Sequence, residues 1–370
     1  MRGLALLLAV PIATGGCTPK KEIVPSRATT LPVRRMASPP TTALIGSRLV
    51  VGLGGTELDE RTRSAIRQGK IAGLILLPHN IVSIEQLRRL TDEVRMAAAS
   101  EGRPPPILSS DQEGGRVDRL RRIAGMAGRA SAGRMAKRGA RHIEKAAFNL
   151  GRALAEAGIN VNFAPVVDLR ADGIVGDRSY GKDPKLVAAC ASAAVLGMQG
   201  AGIAAVVKHY PGHGMTTVDS HRALPKARVD QKIYGRHEGT FRAVMPTAPA
   251  GAMLGHLLVP SVDPVLPASL SPTFAERLRG ILGPEGLIFT DSGSMDALKP
   301  YGNEARRAAR ALDAGVDIYL TTTPWPRLPA GFVTRVSNHL KNREGLEAAY
   351  GRVSAWRAKW CAVPTGRAAL

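Results

Sequence analysis

The chain has 370 residues, 44% of them hydrophobic, which excludes a wholly disordered polypeptide; its three cysteines exclude a disulfide scaffold. Its 13 lysines and 38 arginines against 30 acidic residues leave a formal charge of +21. Such a balance suits nucleic acid, an anionic membrane surface or an anionic wall polymer and does not choose among them. Arginine dominance with abundant Ala and Gly points to a GC-rich genome, so part of this charge is compositional.

In chain order, residues 1–16 read as a signal peptide. Arg2 gives a positive start, the stretch to Ala13 is apolar apart from glycine and Pro11, and Thr14, Gly15 and Gly16 lead to Cys17. The run is too short to span a bilayer as a mature helix. Small residues before a cysteine resemble a bacterial lipobox, which would place a lipid on Cys17, although Thr14 stands where leucine is usual. The alternative is an ordinary signal peptide with a chance cysteine. Either way an exported protein is expected, held by the lipid at the outer face of the cell membrane or free in the periplasm or wall, and nucleic acid drops out as a partner. Residues 17–44, rich in Pro, Thr and Ser, with Lys20, Lys21, Arg27, Arg34 and Arg35 against Glu22, read as a flexible basic tether.

From residue 45 to 370 strand and helix patterns alternate. Strands are expected at Arg48–Gly52, Gly73–Leu77, Pro106–Ser109, Val161–Ala164, Ala204–Val207, Ala252–Leu254, Gly286–Phe289 and Asp317–Leu320. Helices are expected at Asp59–Gln68, Ser83–Ala99, Arg141–Ala157, Pro184–Gln199, Gln231–Val244, Ser271–Leu282, Asn303–Ala314 and Gly345–Trp360. Eight units without a composition break predict an α/β fold, a single (β/α)8 TIM-like barrel; a doubly wound sheet is the alternative, because alternation does not prove closure. Cys190 and Cys361 could pair in an oxidising compartment, but Cys190 lies in an Ala-rich helical pattern where a buried free thiol is the commoner outcome.

Polar clusters fall at the carboxyl ends of these strands. Asp111-Gln112-Glu113-Gly114-Gly115-Arg116 follows the third, Asn162 and Asp168 flank the end of the fourth, and Asp177-Arg178-Ser179-Tyr180 comes soon after. Lys208-His209 ends the fifth, His256 the sixth and Asp291 the seventh. In a barrel these ends share one rim and would converge on one pocket.

Three motifs carry a family resemblance: VKHYPGHGMTTVDSHRALP at Val207–Pro225, SDQEGGRVDRL at Ser110–Leu120 and NFAPVVDL at Asn162–Leu169. Together with GDRSYGKDP, PASLSP and TDSGSM further along, they resemble glycoside hydrolase family 3. Within it, the chain resembles single-domain β-N-acetylglucosaminidases of the NagZ type, and its start fits actinobacterial members. The resemblance implies that Asp291 is the nucleophile and that His221, held by Asp219, is the general acid/base. It implies that Asp111, Arg119, Arg178, Lys208 and His209 grip the sugar, with His213 and His256 near the site. The implied substrate is a peptidoglycan fragment bearing terminal N-acetylglucosamine, with no metal or organic cofactor and a monomeric protein.

The chemistry stands beside that resemblance. Cleaving a glycoside needs one group to protonate the leaving oxygen and another to meet positive charge at the sugar carbon. Here one carboxylate and one Asp-x-His unit are available. An imidazole can donate a proton near neutrality and then act as base, with the Asp orienting it. Gly212 and Gly214 read as a bendable turn before that unit. Each residue has a plainer reading: Asp291 as a helix cap, Asp111 and Glu113 as turn residues, Asp219 and His221 as loop residues. A metal site on His209, His213 and His221 is disfavoured, since Pro211-Gly212 breaks the helix that their spacing would need. One departure stands out: where NagZ-like proteins commonly have T-D-D-L-S-M, this chain has Thr290-Asp291-Ser292-Gly293-Ser294-Met295. Two rivals follow: a phosphorylase, since a histidine acid/base does not repel phosphate, and a lipid-anchored muropeptide-binding protein with a decayed site.

Overall fold

A computed structural model describes residues 39–121, 123, 128–171, 174–342 and 345–362. The expected signal peptide, Cys17 and residues 17–38 of the expected tether lie outside the described residues. The rest of that tether is folded: Thr41–Gly46 is a helix in which Leu44 and Ile45 are buried, so the domain starts a few residues before 45.

Eight strands form the centre: β1 (Leu49–Gly52), β2 (Gly73–Ile75), β3 (Ile107–Ser110), β4 (Val161–Asn162), β5 (Ala204–Tyr210), β6 (Gly251–Leu254), β7 (Leu287–Thr290) and β8 (Tyr319–Pro324). They pair in parallel in the order β7-β6-β5-β4-β3-β2-β1-β8. A parallel bridge between Phe289 and Ile318, with the Thr290 amide donating to the Ile318 carbonyl at 3.0 Å, brings β7 back to the β8 segment. The expected (β/α)8 barrel is therefore the fold, and the doubly wound sheet is not.

Strand residues alternate between two cores. Val50, Ile75, Ile107, Val161, Ala204, Val206, Met253 and Phe289 point into the barrel. Leu49, Val51, Leu74, Leu108, Ala205, Val207 and Leu254 face the helices. Burial on both faces is why the strands read as continuous apolar runs. Trp356, from the helix Gly345–Trp360, packs edge-on to Phe289 at 6.0 Å and donates its Nε1 hydrogen to the Ala250 carbonyl at 2.7 Å, closing the barrel's amino-terminal end.

Several helices begin one residue later than expected because the first polar residue is a cap rather than a helical residue. Asp59, Ser83, Ser271 and Asn303 each accept a hydrogen bond from a backbone amide of the first turn, as does Asp230 before the helix Gln231–Val244, which starts where expected. The last strand is displaced. Asp317 precedes it, and its buried carboxylate accepts from the Ile288 amide at 2.8 Å and from Arg352 and Arg279. Short helices at Ala132–Ala136 and Phe332–His339 have no counterpart among the expected elements. Both cysteines are buried and free, so Cys190 and Cys361 do not pair.

Candidate active site

β5 runs three residues past its apolar stretch and delivers Lys208 and His209 to the carboxyl rim. Lys208 is 2% exposed, an uncommon place for an ammonium. It is paid for by two carboxylates: Asp111 Oδ1 at 2.6 Å and Glu113 Oε1 at 2.7 Å. Burial lowers the Lys208 pKa, but Asp111 and Glu113 outweigh it and the net shift is upward, so the ammonium stays charged. Arg178 grips Glu113 with both prongs, Nε to Oε2 at 2.8 Å and Nη2 to Oε1 at 2.7 Å. Burial would raise the Glu113 carboxyl; Lys208 and Arg178 reverse this and hold it well below the usual range. Arg119 lies 3.8 Å from the other oxygen of Asp111.

His209 is oriented from behind. Its Nδ1 donates to Asp168 Oδ2 at 2.7 Å, which leaves Nε2 facing the cavity, 3.5 Å from Arg178 Nη2. Asp168 is fully buried and also accepts the His213 amide at 2.7 Å. Burial raises its carboxyl, but His209 and His213 together outweigh that, so the net direction is down.

Asp291 follows β7 directly and is 9% exposed. The Ser292 amide donates to its Oδ1 at 2.7 Å. Burial by itself would raise its carboxyl, yet His256, His209, that amide and Lys208 together hold it well below the ordinary range. His256 does not face the cavity. It bridges Ser269 Oγ and the Ser292 carbonyl, each at 2.7 Å. A carbonyl only accepts, so Nε2 carries the proton and His256 positions the segment behind Asp291.

Asp219 and His221 sit on the long connection after β5. Asp219 Oδ1 accepts both the His221 amide and its Nδ1 hydrogen at 2.9 Å, so the free ring nitrogen is Nε2. The His221 side chain is 59% exposed. The connection is anchored by Ser220, whose carbonyl accepts the Ala297 amide at 3.2 Å. Gly212 and Gly214 stand where the chain comes close to its neighbours. A Cβ on Gly214 would meet the Leu169 carbonyl oxygen at 2.1 Å, and one on Gly212 the His237 ring at 2.9 Å, so both are required for close approach.

A cavity of about 150 Å³ is lined by Asp111, Arg119, Arg178, Lys208, His209, His213, His221 and Asp291 together. An adjoining space of about 320 Å³ shares Asp111, Arg119, His221 and Asp291 and opens towards His79 and Thr322. Such an arrangement presents an ionised carboxylate and an imidazole on a loop to one open cavity, with cations and donors around it. That is the equipment of acyl- or glycosyl-transfer chemistry. Among the described residues no group of three or more His, Cys, Asp or Glu side chains is set to hold a metal ion, and no helix is long and apolar enough to cross a membrane.

Residues 43–355 match the model of the glycosyl hydrolase family 3 N terminal domain. The chain belongs to that family. It is 36% identical over 293 residues to a beta-hexosaminidase of Alkalilimnicola ehrlichii, covering 76% of this chain and 82% of that one. A solved family 3 beta-N-acetylglucosaminidase from Paenibacillus sp. FPU-7 superposes with a TM-score of 0.81 at 32% identity; the match covers 89% of this chain and 64% of that one. NagZ from Neisseria gonorrhoeae, in complex with N-trifluoroacetyl-D-glucosamine, gives 0.70 at 29% identity, over 83% and 89% of the two chains. As a family 3 member the chain is a glycoside hydrolase.

Within this family 3 barrel, the altered segment after Asp291 is well held. The hydroxyls of Ser292, Ser294 and Thr322 form a closed cluster at 2.7–3.1 Å, and Arg307 donates to the Gly293 carbonyl at 2.8 Å. Gly293 lies against Tyr319, where an added Cβ would overlap the phenol oxygen, so a larger residue cannot stand there beside this tyrosine. Two residues of the site were not assigned a role from sequence. Glu113 reads there as a turn residue, and Asp168 as a flank of the fourth strand. The signal that could have raised both is the number of cations, Lys208, Arg178 and His209, that would need buried partners.

His213 is 3% exposed, and neither ring nitrogen has a partner among the described residues. Burial and then the neighbouring His209 lower its pKa to about 4. Between pH 6.5 and 4 the unfolded chain therefore binds a proton that the folded protein refuses. This contribution leaves stability intact above pH 6.5 and removes roughly 3 kcal/mol as pH falls to 4. Urea unfolding of wild type and His213→Gln at pH 7 and 4 measures it; an equal loss in both proteins would refute the assignment.

Proposed function

We propose that this protein is a retaining exo-β-N-acetylglucosaminidase acting on peptidoglycan fragments, cutting between terminal N-acetylglucosamine and N-acetylmuramic acid. The observation that carries the reading is that Asp291 and His221, on separate barrel connections, line one cavity with Asp111, Arg119, Lys208 and His209. The relatives named beta-hexosaminidase and beta-N-acetylglucosaminidase support the sugar.

In this reading Asp291, kept ionised by its surroundings, attacks the anomeric carbon and forms a glycosyl-enzyme. His221 Nε2 gives its proton to the leaving oxygen and then takes one from water, restoring the sugar with its original configuration. Asp219 fixes the ring and stabilises imidazolium. Lys208 and Arg119, sharing Asp111, and Arg178 with His209 bind hydroxyls and the acetamido group. The sequence beyond the described residues leads us to propose export, lipidation at Cys17 and a basic tether towards an anionic surface. We further propose that the enzyme acts as a monomer without metal or organic cofactor.

Turnover of a chromogenic β-N-acetylglucosaminide, with release of the β-anomer first, is the expected result. Sugar 1-phosphate as the main product in phosphate buffer would replace hydrolysis by phosphorolysis. Sugar binding without turnover would replace the enzyme by a binding protein.

A further inference from the structure

A second, larger chamber lies beside the sugar cavity. Its volume is about 350 Å³, more than the ~150 Å³ of an engineered apolar cavity that takes up benzene. The helices Ala140–Glu156 and Pro184–Gly200 form one side of it, contributing apolar surface from Ile143, Ala147, Leu150 and Met198. Residues that follow β3 and β4 form the other. Glu113 and Arg178 line this chamber and the sugar cavity alike, so the pair is a shared wall.

Its charged lining is one-sided. Arg129 and Arg138 both line it, and among the described residues neither forms an ion pair; Arg138 Nη1 lies 3.3 Å from His142 Nε2, also in the lining, while the buried Arg129 Nε has no hydrogen-bond partner although Asp118 is near enough to act on its charge. The carboxylate that lines it, Glu113, is already held by Arg178 and Lys208. A chamber with one apolar side and guanidinium groups that no carboxylate neutralises by an ion pair suits a molecule that brings both an apolar body and an anionic head.

We propose that this chamber binds an alkyl carboxylate, its chain against Ile143, Leu150 and Met198 and its head at Arg129 and Arg138, and that occupancy changes sugar affinity through the Glu113–Arg178 wall. The binding claim goes beyond the proposed activity; only the coupling rests on it.

The test is calorimetric titration of the full chain with decanoate, beside decanol as the uncharged counterpart. Saturable binding with Kd below about 1 mM is expected, with decanol weaker by about fivefold or more. Arg129→Gln should weaken decanoate by a similar factor, and Ala146→Phe, placed at the half-buried lining, should abolish it; circular dichroism and melting temperature establish that both variants fold. In wild type, saturating decanoate should shift KM for the chromogenic glycoside by about twofold or more, and this shift should vanish in Ala146→Phe. Absence of saturable binding below about 10 mM overturns the site, as does decanoate binding that neither substitution changes. Equal affinity for decanol overturns the anionic head, and an unmoved KM overturns the coupling. Because binding is read without turnover, a chain inactive on the glycoside would sink the proposed function and leave the site standing or falling on the titration.

Discussion

Asp291→Asn is expected to lower kcat/KM for a β-N-acetylglucosaminide by about 10⁴-fold or more, because the amide cannot form the glycosyl-enzyme ester. The substitution keeps shape and an oxygen for the Ser292 amide, while the hydroxyl cluster of Ser292, Ser294 and Thr322 holds the loop independently. The melting temperature should therefore change little beside the loss of rate. A fluorinated glycoside that stalls the second step supplies the direct readout: the intact mass of wild type rises by one sugar and that of the variant does not. Asp291→Ala should reproduce the loss and excludes deamidation of Asn as a source of residual rate. Turnover within about tenfold of wild type in either variant would remove Asp291 from the nucleophile's role.

His221→Ala separates the acid from the nucleophile. On a disaccharide, whose leaving alcohol needs a proton, the expected loss in kcat/KM is about 10²–10⁴-fold. On a nitrophenyl glycoside, whose leaving group departs as an anion, the loss in that parameter should be much smaller. Breakdown of the glycosyl-enzyme then becomes slow, for want of a base, and azide, which needs none, should restore kcat and appear as a glycosyl azide. Asp219→Asn should fall between wild type and His221→Ala, since the ring keeps its acid but loses the partner at 2.9 Å that orients it. Equal losses on both substrates, with no response to azide, would assign His221 a binding role instead.

The glycine-rich approach to His221 sharpens this picture. Gly212 and Gly214 pack against His237 and the Leu169 carbonyl, where a side chain would not fit. Exposure rises along the connection: His213 is buried, whereas Thr217, Val218, His221 and Arg222 are exposed.

The architecture was legible because strands buried on both faces must be apolar throughout, and eight such runs separated by amphipathic helices leave few other folds. Boundaries were less so. Ser83 and Asn303 look helical by spacing but act as caps, and β5 extends through Lys208, whose charge interrupts the apolar run. The residues proposed for the chemistry stood out as motifs, Asp291 at the end of β7 and Asp219 and His221 in the connection after β5. Their supports did not: Glu113 and Asp168 act through partners 95 and 41 residues away, Lys208 and His209, and nothing local marks them.

What sequence alone determined is the alternation of eight strands with the main helices and the family that the motifs resemble, since these rest on periodicity and on residues that act near their own position in the chain. Closure of the barrel through Phe289 and Ile318, the shared Glu113–Arg178–Lys208 pairing, the turning of His256 away from the cavity and the apolar chamber behind the sugar site were decided only by tertiary structure. Each depends on which buried charge or donor finds its partner across the fold, and that requirement is set by desolvation in three dimensions, not by spacing along the chain.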